Sequence, residues 1–266
     1  MAGNTKALRV RIKSVSSTLQ LTKAMGLVAS SKIRRANDAM FKARQYSEAL
    51  ENSIALLTAD NECLKSPFMR SSEENKVKII VIAGDRGLAG GYNANIFRTT
   101  AKLHAEFIPI GKRACERFSA PVISSERYTC EDVFTLADKL CKEFTQGEFN
   151  KLGIVYTKYV SAMSQEADIK WVLPLTKSEN QNNTGIIFEP DCLTVLNNAV
   201  REYVAGMLMW CIRESFACEV TARRMAMDSA GKNAKEMIDR LQLEYNQARQ
   251  GAITQEITEI VAGSGN

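Results

Sequence analysis

From Ile12 to Leu57, apolar or small residues recur at alternating steps of three and four. They are Ile12, Val15, Leu19, Thr22, Gly26, Ala29, Ile33, Ala36, Met40, Ala43, Ser47, Leu50, Ile54 and Leu57. A seam sustained over about six heptads with no proline inside it leaves one solution, a long helix that lies against another helix. At 1.5 Å per residue it spans about 70 Å. The middle of the seam is small (Thr22, Gly26, Ala29, Ala36, Ala43), so a partner backbone can come close while little surface is buried. Gly26 alone costs about 1 kcal/mol relative to Ala inside a helix. Such a helix needs a partner.

The other end of the chain supplies one. After Pro190 no proline follows, and Leu196, Val200, Tyr203, Met207 and Cys211 open a second helical pattern. Ile238, Leu241, Tyr245 and Ala248 continue it, and Ile253, Ile257 and Ile260 close it. The pattern predicts an antiparallel coiled coil of terminal helices, with the middle of the chain inserted between them. Residues 1–60 and 191–266 are the two helices, and 61–75, with Ser66-Pro67 and a polar run from Ser71, is the linker.

Residues 76–190 have a different period. Val77-Lys-Ile-Ile-Val-Ile-Ala83 is a near-continuous apolar run, as expected of a parallel strand covered on both faces. A helix near 93–105, a strand at Phe107–Gly111, strands at Val122-Ile123, Leu152–Tyr156 and Ile169–Leu173, and a helix at Glu131–Phe144 follow. Alternation of strand and helix predicts a Rossmann-like α/β domain, so the fold class is α/β with coiled-coil arms. Ser178–Thr184 reads as a polar loop.

Charge is uneven. Residues 1–50 carry ten Lys/Arg against two acids, Asp38 and Glu48, whereas the whole chain has a net charge of only +5. A basic arm suits nucleic acid, acidic lipid or an acidic protein surface, and charge alone does not choose. The longest uncharged apolar stretch in a candidate helix, Val204–Ile212, falls far short of the roughly 20 residues a membrane span needs. The segment from Met1 to Lys13 has neither the apolar core nor the cleavage site of a secretory signal. The seven cysteines are odd in number and contain no C-x-x-C pair, so reduced thiols in a bacterial cytoplasm are expected rather than a disulfide framework or structural zinc.

The densest motif is Gly84-Asp-Arg-Gly-Leu-Ala-Gly-Gly-Tyr-Asn93, directly after the first strand. Four glycines at a strand-to-helix turn could hold a phosphate on a helix N-terminus. Neither the G-x-G-x-x-G spacing nor the G-K-[ST] of a P-loop is present, and a tight structural turn is the better reading. His104 is the only histidine and is expected on a helix surface. No nucleophile–base pair, H-E-x-x-H or G-x-S-x-G occurs, and Glu256 with Glu259 reads as a charged helix face. The chain is not expected to be an enzyme by itself or to bind a cofactor. In the last helix Arg249, Gln250 and Thr254 stand beside a stripe of isoleucines, a combination that suits a partner's carboxylates and backbone as well as plain solvent.

Thr22-Lys-Ala-Met-Gly-Leu-Val-Ala-Ser-Ser-Lys-Ile-Arg-Arg-Ala36 resembles the N-terminal signature of the gamma subunit of F-type ATP synthases. Gly84–Asn93, Tyr156–Glu166 and Arg249–Gly263 resemble later segments of that family, in the same order. The resemblance implies a central rotor shaft. Its coiled coil sits inside a hexamer of alpha and beta subunits, and its α/β domain joins the epsilon subunit and the membrane ring of c subunits. Ring rotation would drive the beta sites through their conformations, with ATP made in beta. The resemblance further implies that Arg249, Gln250 and Thr254 contact a stator loop. Lys23, Met25, Lys32, Arg34 and Arg35 would face acidic segments of beta. Membrane contact would run only through partners at the cytoplasmic face of a bacterial plasma membrane, with no role for nucleic acid. Gly26, Ala89 and the ending Gly263–Asn266 depart from the family pattern, and no thiol-bearing insertion of the chloroplast kind is present. The rival readings are a nucleotide-binding or a nucleic-acid-binding α/β protein with helical arms.

Overall fold

The computed structural model describes residues 2–70, 76–178 and 188–263, so most of the expected loop at 178–184, residues 71–75 of the expected linker and the last three residues fall outside it. Two helices dominate, α1 (Ala2–Thr58) and a C-terminal helix from Cys192 to Gly263. Between them lie two short 3-10 turns, Asn61–Lys65 and Pro67–Met69, then β1 (Val77–Ile82), α2 (Tyr92–Thr100), β2 (Glu106–Ile110), α3 (Lys112–Arg117), α4 (Cys130–Thr145), β3 (Lys151–Tyr159) and β4 (Gln165–Leu173). The C-terminal helix is therefore α5. The fold class is the expected one, α/β with long terminal helices.

Contacts divide the chain into two compact units. One comprises Met1–Ser30 with Arg223–Asn266, and the other Ser31–Ala222. In the first, the two helical segments run antiparallel. Gly26 faces Met227, and Thr22 and Leu19 face Gly231. Further along, the Arg9 guanidinium donates to the Tyr245 hydroxyl at 3.3 Å. Thr22, Gly26 and Ala29 are buried as the seam requires, and Met227, Ala234 and Leu241 are buried opposite. Beyond this paired stretch α5 continues, and every side chain described from Ile253 to Gly263 is exposed.

The second unit holds a four-stranded sheet in the order β2-β1-β3-β4. β1 pairs in parallel with β2 and β3, and β4 is antiparallel to β3. The apolar run of β1 is explained by cover on both faces. Ile80 and Ile82 enter a core with Leu140, Leu152, Leu196 and Leu208, while Ile79, Val81 and Ala83 pack with Ile96 and Ala114. α4 begins with a capping box, because Thr129 Oγ1 accepts from the Asp132 N–H while Asp132 accepts from the Thr129 N–H. The α1 seam continues as expected through Ala36, Met40, Ser47, Ile54 and Leu57, all buried.

Three expectations need correction. Val122-Ile123 is not a strand: the Ile123 carbonyl accepts from the Gly111 N–H, and the pair lies in an exposed loop. The helix expected over 93–105 stops at Thr100, so His104 stands in the following loop, exposed, rather than on a helix. The stretch 112–117, assigned no element from sequence, is α3.

Candidate functional site

The glycine turn closes on itself. Leu88 and Gly90 take positive φ values of 62° and 58°, which reverses the chain between β1 and α2. The Gly84 N–H donates to Asn93 Oδ1 at 3.0 Å, and Asn93 Nδ2 donates to the Arg86 carbonyl. A Cβ at Gly84 would lie 2.8 Å from Glu219 Cδ, so the turn packs directly on the carboxylate end of this buried acid of α5, which would have to shift to admit a larger residue. Asp85 points the other way. Its carboxylate accepts from the N–H groups of Lys112, Ser125 and Glu126 and from the Ser124 hydroxyl, at 2.5 to 3.1 Å. Burial alone would raise its pKa, but these donors hold it below the usual carboxylate value.

Two carboxylates, Asp85 and Glu219, thus flank the loop that a phosphate would have to enter. Like charge there opposes an anion. The turn is a joint between β1, α2 and α5, and the phosphate-cradle alternative has no support in its geometry.

The same stretch of α5 fastens the sheet. Glu214 Oε1, fully buried, accepts from the Tyr159 N–H and from Arg44 Nη2, each at 2.8 Å. Ser215 Oγ accepts from the Thr157 N–H, and the Ser215 carbonyl accepts from the Tyr92 hydroxyl. Burial, together with the nearby Glu219 charge, pushes the Tyr92 phenol well above its usual pKa, so it stays a donor. Glu214, Ser215 and Glu219 were not singled out from sequence. The signal was present: Glu214 falls three residues after Cys211 and four before Cys218, a polar residue on the buried face of a helix.

The residues expected to meet partners fall into separate groups. Lys23 is exposed and Met25 half-buried on the first helical unit. Lys23 borders a groove of about 400 Å³ with Thr22, Asp228, Gly231, Lys232 and Lys235, which makes its rim basic. Arg249, Gln250 and Thr254 are exposed on α5, and Thr254 Oγ1 donates to the Gln250 carbonyl at 3.0 Å. Arg249 lies about 25 Å along α5 from Lys232. Lys32, Arg34 and Arg35 belong to the second unit. Arg34 and Arg35 are exposed, but Lys32 Nζ lies 2.5 Å from Glu126 Oε1 in an ion pair. Of the acidic pair expected on α5, Glu259 accepts from Gln255, and the side chain of Glu256 lies outside the described residues.

A family model described as ATP synthase matches residues 4–265. The ATP synthase gamma chain of Ruminococcus albus is 41% identical over 283 aligned residues, covering 99% of this chain and 98% of that protein. The chain belongs to the ATP synthase gamma chain family. The gamma chains of Psychrobacter cryohalolentis and Cupriavidus necator are 34% and 36% identical, each matched over at least 98% of its own length. Among solved structures, the Euglena gracilis mitochondrial ATP synthase OSCP/F1/c-ring assembly contains a chain of the same fold. Its TM-score is 0.70 at 16% identity, covering 99% of this chain and 94% of that one. A chain of the Tetrahymena thermophila ATP synthase central stalk and c-ring gives 0.60 at 19% identity, covering 79% and 99%.

Family membership places the chain as a non-catalytic subunit, in keeping with a glycine turn that serves packing. Among the described residues no helix is long and apolar enough to cross a membrane.

Proposed function

We propose that this chain is the central rotor shaft of an F-type ATP synthase at the cytoplasmic face of a bacterial plasma membrane. In this reading residues 1–60 and 191–266 form the shaft and 76–190 the domain that a c-subunit ring and an epsilon subunit grip, with 61–75 as linker. Rotation of the ring by ion flow turns the shaft inside an alpha–beta hexamer, whose beta subunits make or hydrolyse ATP. The observation that carries the reading is the first helical unit. Thr22 against Gly231 and Gly26 against Met227 bring its two helices close, and Lys23, Lys232 and Lys235 make a basic rim beside them, among exposed apolar residues such as Leu21, Leu27, Val28 and Leu243. A shaft turning in a narrow bore needs such a thin pair, and basic groups set between its exposed apolar ones keep any single apolar contact with the bore small. The names of the gamma chain relatives and the rotor and central-stalk titles of the structural neighbours support it.

Arg249, Gln250 and Thr254 contact a stator loop, and Lys23, Met25, Arg34 and Arg35 face acidic segments of beta. Lys32 joins them only by exchanging Glu126 for an acid of the partner. No feature of the glycine turn favours nucleotide binding, and the basic segment spends part of its charge internally, which disfavours nucleic acid. The test has two arms. A tagged chain taken from its own membranes in mild detergent should bring alpha, beta, epsilon and c subunits, with one copy of this chain per complex. A clean monomer would overturn the rotor reading. Arg249→Glu with Gln250→Leu should then lower coupled ATP synthesis several-fold while helical circular dichroism is unchanged; an unaltered rate would remove those residues from the contact.

A further inference from the structure

Two thiols far apart in sequence meet in the second unit. Cys63 Sγ and Cys192 Sγ lie 2.8 Å apart across 129 residues of chain, both buried and both free. Independent devices hold the two ends in place. Asp60 caps the 3-10 turn that carries Cys63 by accepting from the Glu62 N–H, and the Cys63 carbonyl accepts from the Ser66 N–H. Cys192 is the first residue of α5, where Asp191 accepts from the Thr194 N–H and hydroxyl. Ser66 Oγ donates to Asn197 Oδ1 at 2.6 Å and ties the turn to the helix beside the thiols. Cys192 Sγ also donates to the Leu57 carbonyl at 3.5 Å, whereas the buried thiols Cys115 and Cys218 donate to backbone carbonyls with no second thiol beside them.

We propose that Cys63 and Cys192 are a redox-sensitive dithiol whose oxidation to a disulfide ties the turn after α1 to the start of α5. The oxidant is a small disulfide of the glutathione class. Cys192 loses its proton, attacks one sulfur of the oxidant, breaks its S–S bond and releases one small thiol. The Cys63 thiol then gives up its proton and attacks Cys192 Sγ in the mixed disulfide, expelling the second small thiol. Two electrons pass from the cysteine pair to the oxidant, and the two protons end on the two released thiols. Burial raises the pKa of both cysteines, with the nearby Asp60 and Glu62 charges adding to it, so exchange waits on local opening of the turn. The link therefore forms slowly and responds to sustained oxidation. Closing a long loop restricts the unfolded chain more than closing a short one, with a gain that grows as the logarithm of loop length.

The experiment uses the purified full chain and oxidised glutathione as the probe. After incubation, acid quench and alkylation, non-reducing tryptic mapping should find one peptide pair joined through Cys63 and Cys192 and lighter by two hydrogens. On a non-reducing gel the denatured chain should run ahead of the reduced form and return with dithiothreitol. Its melting temperature should rise by several degrees. Cys63→Ala and Cys192→Ala, checked for helical content, should lose the fast band; if either fails to fold, the wild-type map decides. Recovery of both residues as alkylated thiols under conditions that modify the exposed Cys130 would overturn the proposal. So would a link that forms only in urea, or glutathione held on one cysteine without transfer to the other.

Discussion

Adding one carbon at Gly26 and at Gly111 has opposite expected consequences. A Cβ at Gly26 meets Met227 Cβ at 3.6 Å and Asp228 Oδ1 at 3.9 Å, which is ordinary contact. The glycine therefore costs helix propensity without a steric need, and Gly26→Ala should stabilise the chain by about 1 kcal/mol. Gly111 has φ +100°, and its Cβ would lie 1.9 Å from the Ala83 carbonyl oxygen, a backbone atom that cannot turn aside. Gly111→Ala combines that overlap with backbone strain and should cost about 4 kcal/mol or more. Urea midpoints of the two variants against the parent chain check both signs. Both glycines stand in plain view in the sequence, but what faces each does not: the partners, Met227 and Ala83, are known only once the elements have met.

At the scale of elements, Asp85 is the clip that makes α3 possible. α3 is six residues long and its N-cap is Gly111, which has no side chain to accept from the first turn. The acceptor comes from 27 residues upstream, where Asp85 takes the Lys112 N–H. That is why no local reading finds α3: its cap is tertiary. The same carboxylate draws Ser124, Ser125 and Glu126 together and keeps Val122-Ile123, apolar enough for a strand, in a loop. Asp85→Asn removes the charge that these donors share and should cost about 2 kcal/mol at neutral pH. The folded pKa lies below the ordinary value of 3.8. The parent chain therefore holds this contribution in full above pH 3.8 and loses it as pH falls through the lower folded value. Urea midpoints from pH 7 down to pH 3 should show the gap between parent and Asp85→Asn narrowing in acid, and a constant gap would mean that the hydrogen bonds work without the charge. The elements legible from sequence were those with their own pattern: the α1 seam, the doubly covered β1, and α4, expected over Glu131–Phe144 and found from Cys130 to Thr145. The buried acids of α5 were not, because an apolar helix face does not announce which of its polar residues will find Arg44 or a strand N–H.

For the whole molecule, burial is distributed unevenly between the two units. The first buries Thr22, Gly26 and Ala29 with Met227, Ala234 and Leu241, only the Met and the Leu large, whereas the second gathers Ile54, Leu57, Phe68, Leu152, Leu196 and Leu208 in one core. Fully burying a large aliphatic side chain contributes about 1.5–3 kcal/mol, and an alanine contributes far less. Helix propensity does not make up the difference, since long helices in water depend on tertiary packing. Local opening should therefore start in the first unit. In hydrogen exchange on the isolated chain, amides of 5–30 and 223–252 should exchange well before those of β1 and β3. Gly26→Ala should slow exchange in the first unit alone. If the chain is a shaft enclosed by a hexamer, the same amides should gain protection on assembly, because the partners supply the surface its thin seam does not bury. Protection that is already uniform in the isolated chain would show that the slender pair stands by itself and that its small residues serve no bore.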